Sequence, residues 1–147
     1  DETYRAKVST ALENAGLSGQ VISNYMSEEE LFTFRMATDI LLYAPVSDAF
    51  SGSVSQALAA GSVAVIGSWL PYKARIRAGF RYHEIDAPAD AGLALEQILT
   101  DWPNAQADCE PNRQLSAEFF APKRIGQQWM DAYESAIQRF EEENSKK

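Results

Sequence analysis

Two apolar runs of strand length, separated by a helix of small residues, constrain this chain more than any other feature. Residues 43–67 read YAPVSDAFSGSVSQALAAGSVAVIG. The apolar run at residues 40–44 ends at Pro45, and residues 53–60 are rich in helix-forming Ala, Leu and Gln. Gly61 stands where a left-handed stop belongs, and VAVIG follows at residues 63–67. Continuous rather than alternating apolar runs predict strands covered on both faces, as in a parallel sheet. Two parallel strands joined by a helix make a βαβ unit.

The flanking sequence extends the alternation. Tyr4, Val8, Ala11, Leu12 and Ala15 recur at helical spacing before Gly16, which predicts a helix over residues 1–15. Residues 21–25 form a short extended run, interrupted by Ser23 and Asn24. Ser27 is an expected N-cap, with Glu28, Glu29 and Glu30 at the positive end of a helix that runs toward Thr38. Pro71 opens a helix to about Ala78, stopped by Gly79. Residues 81–85 read as a strand, with Tyr82 and Glu84 on one face and His83 and Ile85 on the other.

Residues 89–99 are expected to be helical with Leu93, Ile98 and Leu99 inward, and residues 102–113 to be loop or short helix. Over residues 123–140, Ile125, Trp129, Tyr133, Ile137 and Phe140 recur every three or four residues. This predicts a long amphipathic helix whose apolar side is core, and residues 141–147 should fray. The order predicts a doubly wound α/β fold, a Rossmann-like three-layer α/β/α arrangement with a mostly parallel sheet of four strands. Residues 1–122 would form the domain and residues 123–147 the helix and tail that pack on it.

Composition narrows the function classes. At 147 residues, 46% of them apolar, the chain is long enough for one core that removes about 70% of its unfolded surface from water. A formal charge of −8, with 13 scattered Lys and Arg, argues against nucleic acid as a partner. Cys109 is the single cysteine, so neither an intrachain disulfide nor a cysteine-built metal site is expected. No apolar run approaches the roughly 20 residues of a membrane span. Asp1 and Glu2 are acidic where a signal peptide needs basic residues, so the expected compartment is the cytoplasm.

In an open parallel sheet, ligands bind beyond the carboxyl ends of the strands. The loop after Tyr43 is such a place. Ser51, Gly52 and Ser53 let a ligand approach the backbone, and the free amides at the start of the helix favour an anion such as phosphate. Asp48 and Gln56, eight apart, can address hydroxyls and a diol. The combination suits an anionic, hydroxyl-rich ligand such as a sugar nucleotide; ordinary capping and turn formation account for the same Ser and Gly residues.

Other candidates are weaker. His83 is the only histidine and has no companion ligand in its strand, so a structural role is expected. Trp69, Pro71 and Tyr72 can line the crevice or simply pack at a strand end. Arg75, Arg77 and Arg81 form a basic cluster that suits phosphate, an acidic lipid surface or plain solvent. A flavodoxin-like or receiver-type domain would need an acidic cluster at the strand ends, which is not seen.

Residues 39–67, and more loosely residues 16–137, resemble the C-terminal, donor-binding domain of retaining GT-B glycosyltransferases. That family has a proline at the strand end, then Glu, Gly-Phe-Gly, a second Glu eight residues after the first, and Ala-x-x-x-Gly-x-Pro-Val-Ile. Here stand Pro45, then Asp48, Ala49, Phe50 and Ser51, then Gln56, and Ala57 through Gly61 to Ile66. The resemblance implies that Asp48 contacts the donor sugar, that Phe50, Ser51, Gly52 and Ser53 approach sugar and phosphates, and that Gln56 holds the ribose. Trp69 would add to the crevice; no residue is assigned as catalytic. The donor is a nucleoside diphosphate sugar, with no cofactor or metal implied.

Asp48 is one methylene short of Glu, and Gln56 offers a ribose one acceptor oxygen where a carboxylate offers two. Both departures weaken donor binding. The family's domain begins with a strand, helix and strand bearing an Arg and a Lys for the diphosphate, whereas this chain opens at what resembles the following helix. The resemblance therefore implies part of a hexosyltransferase of carbohydrate biosynthesis, with an N-terminal acceptor domain as its missing partner and no turnover by this chain alone. Peripheral membrane association is compatible with it. The alternative is a degenerate, non-catalytic nucleotide-binding or protein-interaction module on the same scaffold.

Overall fold

In the computed structural model, residues 2–49 and 51–144 are described. The chain divides into two compact units between Leu31 and Phe32. In the first, helix α1 (Glu2–Asn14) ends at Gly16, whose φ of 64° is left-handed. The Leu17 amide donates to the Leu12 carbonyl at 3.0 Å and the Gly16 amide to the Glu13 carbonyl at 3.0 Å. This is the double closure that only a residue tolerant of positive φ allows. No residue of α1 is buried. Residues 21–25 are not a strand, so the four strands expected become three. Ser27 and Glu30 form a reciprocal capping box: the Ser27 amide donates to Glu30 Oε2 at 2.8 Å and the Glu30 amide to Ser27 Oγ at 3.2 Å. That box opens helix α2 (Glu28–Met36). Accepting from the Ser27 amide, with the Ser27 hydroxyl adding to the effect, holds the Glu30 carboxyl below the usual range.

The second unit is α/β, built on a small open sheet of three parallel strands. The strands are β1 (Ile40–Tyr43), β2 (Val63–Gly67) and β3 (His83–Ile85), in the order β1-β2-β3. Ile40 pairs with Val63 and Tyr43 with Ile66, while Val65 pairs with His83 and Gly67 with Ile85. Helix α3 (Gly52–Ala60) joins β1 to β2, so the expected βαβ unit is present. Helices α4 (Lys73–Arg77), α5 (Ala91–Thr100), α6 (Trp102–Cys109), α7 (Asn112–Phe119) and α8 (Pro122–Asn144) complete the chain.

All five residues of β2 are buried, as a continuous apolar run predicts. Successive side chains leave opposite faces of a strand. Ala64 and Ile66 accordingly join Val54, Leu58, Leu70, Tyr72 and Phe80 in one cluster, while Val63 and Val65 join Ile85, Ile98 and Cys109 in the other. The same prediction fails for β1, where Leu42 is 46% exposed. As an edge strand, β1 has a neighbour on one side only, and its apolar run does not reveal this.

Two further expectations, for α5 and α8, are corrected. In α5, Ile98 is buried but Leu93 and Leu99 are exposed; the inward face instead carries Ala91, Ala94 and Leu95. Residues 102–113, expected as loop or short helix, take the second form as α6 and the start of α7, because both prolines fall where no helical N–H is needed: Pro103 lies in the first turn of α6 and Pro111 precedes α7. Asn112 is wholly buried, and its amide clasps the Arg81 backbone, accepting from N at 2.9 Å and donating to O at 2.7 Å. Helix α8 continues to Asn144 instead of fraying from residue 141, and none of its residues is buried. Residues 145–147 of the expected tail lie outside the described residues. No helix is long and apolar enough to cross a membrane among the described residues.

Candidate functional site

The loops at the carboxyl ends of β1 and β2 meet in the second unit. Beyond β1 the chain passes Pro45 and half-buried Asp48 to reach Ser51, whose Oγ caps α3 by accepting from the Val54 amide at 3.4 Å. Small residues let α3 sit close to the sheet, and Val54, Ala57, Leu58 and Ala60 are buried there. Gly61 closes the helix at φ 74°, with the Ser62 amide donating to the Ala57 carbonyl at 3.0 Å.

Beyond β2 the chain turns back so that the Trp69 ring lies across Gly67. A Cβ on Gly67 would stand 2.5 Å from that ring, so the strand end requires glycine. The indole Nε1 donates to the Pro45 carbonyl at 2.8 Å, which ties the two strand ends together. Trp69 therefore packs between the two strand ends at this corner.

Tyr72 is the hub. Its hydroxyl donates to the Asp48 carboxylate and accepts from the Ser51 amide at 2.9 Å. The Tyr82 hydroxyl donates to its carbonyl at 3.1 Å. Arg75, 2% exposed, sets its guanidinium 4.8 Å from the Tyr72 ring centroid and donates from Nη2 to Ser55 Oγ at 2.8 Å. Ser55 in turn donates to the Ser51 carbonyl at 3.0 Å. A positive charge is thus buried beside the first turns of α3.

The electrostatics follow from these contacts. The Tyr72 hydroxyl holds the Asp48 carboxyl below its ordinary range; the amides of Ala49 and Ser51 and the Tyr43 hydroxyl add to this, while partial burial opposes it. Burial first, and the Asp48 carboxylate second, push the Tyr72 phenol up to about 12. Burial also raises the Tyr82 phenol to about 12, and it lowers the Arg75 guanidinium from its usual value. The corner keeps a carboxylate, two neutral phenols and a cation at neutral pH.

Of the residues expected at this site, Asp48 and Ser51 enter one network. Ser53 is near it and accepts from Arg35 Nη2 at 3.1 Å. Gly52 is exposed, with nothing near its absent Cβ. Gln56 stands exposed on α3, and the structure forms no hydrogen bond between it and Asp48. Phe50 lies outside the described residues. The basic cluster of Arg75, Arg77 and Arg81 does not form: Arg75 is buried, Arg77 is exposed, and Arg81 pairs with Asp108. His83, half-buried on β3, borders a hollow with Gln97, Asp101, Asn104 and Asp108. Cys109 is 1% exposed, and burial raises its thiol. Among the described residues no three His, Cys, Asp or Glu side chains converge as a metal site would.

Sequence reasoning undervalued Tyr72 and Arg75. The available signal was their spacing of three at the start of α4, which sends both toward α3. No protein-family model, no curated protein and no solved structure matches this chain.

Proposed function

We propose that this chain is the nucleotide-sugar-binding part of a retaining glycosyltransferase, with its ligand at the corner between β1, α3 and β2. One observation carries the reading: a helix N-terminus, a buried guanidinium and a hydroxyl-accepting carboxylate gather at the carboxyl ends of two parallel strands. The α3 amides and the Arg75 charge together favour a phosphate. Asp48 is the acceptor for sugar hydroxyls, and Gln56, open to solvent, is available to a ribose. Preorganised donors of this kind stabilise a departing diphosphate.

On this reading the fold is the Rossmann-like, three-layer half of a GT-B enzyme, working in the cytoplasm with an N-terminal acceptor domain as its partner. Calorimetric titration of the chain with UDP, GDP and ADP tests it. One nucleotide is expected to bind, and Asp48→Ala or Gln56→Ala to weaken it about tenfold through loss of a hydrogen bond to the ligand. Unchanged affinity in both variants sinks the site assignment.

A specific contact favours a second reading. The Asp48 carboxylate already holds the Tyr72 hydroxyl, which holds the Ser51 amide, so the acid assigned to the sugar also closes its own loop. In a non-catalytic module that closure is its whole purpose. Absence of any nucleotide-dependent rise in melting temperature of the intact chain selects this reading.

A further inference from the structure

Helix α8 carries an apolar face that no described residue of its own unit covers. Trp129 is 60%, Tyr133 59%, Ile137 57% and Phe140 68% exposed. Its charges are segregated: Lys123 and Arg124 occupy the first turn, whereas Glu141, Glu142 and Glu143 occupy the last. The stripe is evenly spaced about Tyr133, except that Ile125 at its start mirrors Glu141. Trp129 and Ile137 stand four residues to either side, and Gly126 and Phe140 stand seven.

We infer that α8 pairs antiparallel with the α8 of a second copy, with the two-fold axis at Tyr133. That register sets Trp129 against Ile137 of the other copy, and Met130 against its Ala136. Phe140 meets Gly126, whose absent Cβ has nothing within 4 Å. At about 1.5 Å per residue, Lys123 and Arg124 lie about 15 Å from the axis, level with Glu143 and Glu142 of the other copy. Arg124, resting on the Phe119 ring at 4.7 Å, stays at the rim of the pair. A parallel pairing would instead place basic turn on basic turn and acidic on acidic. Such an interface is isologous and closes at two copies.

Charge decides between a second copy and a membrane. The helix carries three basic and five acidic residues, the wrong balance for an anionic lipid surface.

Sedimentation equilibrium of the intact chain between about 1 and 200 μM, in low salt, tests the pairing. The average mass is expected to rise from 16.3 kDa toward twice that value, and Trp129→Glu with Ile137→Glu to weaken association at least about thirtyfold. Because both positions are exposed, circular dichroism should show the fold unchanged. One charge-swapped chain, Lys123→Glu with Arg124→Glu, and another, Glu142→Lys with Glu143→Lys, should each associate about tenfold more weakly. Their equimolar mixture should recover the original affinity, and the loss in each variant alone marks the pairing as antiparallel, because a parallel pair already sets like charges together in the unaltered chain. A monomer at every concentration, association indifferent to Trp129→Glu with Ile137→Glu, or a mixture no tighter than its components overturns the inference. Binding to anionic vesicles by a chain that stays monomeric overturns it in favour of a lipid surface.

Discussion

Helices α3 and α8 invert the usual link between amphipathic pattern and burial. Nine residues long and made of small side chains, α3 has a weak pattern, yet Val54, Ala57, Leu58 and Ala60 are buried. Helix α8 runs for 23 residues with a strong three-and-four pattern and buries none. An apolar stripe records that a face prefers to leave water. Whether something within the chain covers that face is a property of the connections. Gly61 and the β1-β2 pairing return the chain directly over α3, whereas α8 follows the last packed element.

The difference can be broken from either side. The largest effect is expected in α3, where Leu58→Ala, at a wholly buried position, should cost about 2–5 kcal/mol in urea unfolding. Trp129→Ala in α8, measured on dilute protein, should stay within about 0.5 kcal/mol; equal costs would mean that α8 is packed in solution.

Next come the glycines. Gly61→Ala forces a side chain onto φ 74°, with its Cβ 2.4 Å from the Arg113 side chain, and should cost about 1–2 kcal/mol. Gly126→Ala, in open space within a helix, should instead stabilise dilute protein by up to about 1 kcal/mol. Thermal melts of the two variants should therefore move in opposite directions.

A pH effect separates the regions further. Tyr72 and Tyr82 have folded pKa values raised to about 12, above the ordinary value near 10. Their contribution is fully present below pH 10 and is lost as pH rises from about 10 through about 12. Absorbance titration at 295 nm should show two late phenols, and Tyr82→Phe should remove one. The acid side has the opposite sign. Asp48 is depressed, so its contribution is present above its unfolded value and is lost as pH falls through the folded one. In Tyr72→Phe its carboxyl should titrate closer to the ordinary value by NMR, the smallest of these effects.

Much of the fold was legible because local rules govern it. Gly16, Gly61 and Gly79 were expected as stops, and all three adopt positive φ. The N-cap at Ser27 and the run at β2 were equally plain. The corner at α3 was legible as a loop with Asp48 and Ser51, but not as a hydrogen-bonded network. Tyr72 read as strand-end packing and Arg75 as a solvated charge. No periodicity announces that an arginine will be buried, because such burial depends on an aromatic ring and a serine from other elements. Asn112 was hidden in the same way, as a polar residue whose partner is the backbone of Arg81, 31 positions earlier.

The amino-acid sequence determined the stops at Gly16 and Gly61 and the cap at Ser27, that β1, α3 and β2 form a parallel unit, and which face of α8 is apolar. Each of these rests on residues within a few positions of one another. Tertiary structure alone decided that β1 is an edge strand, that Leu93 and Leu99 face outward, and that Tyr72 and Arg75 build the corner around Asp48. Those outcomes depend on which distant segments arrive at a surface, and side-chain spacing along one element carries no record of that.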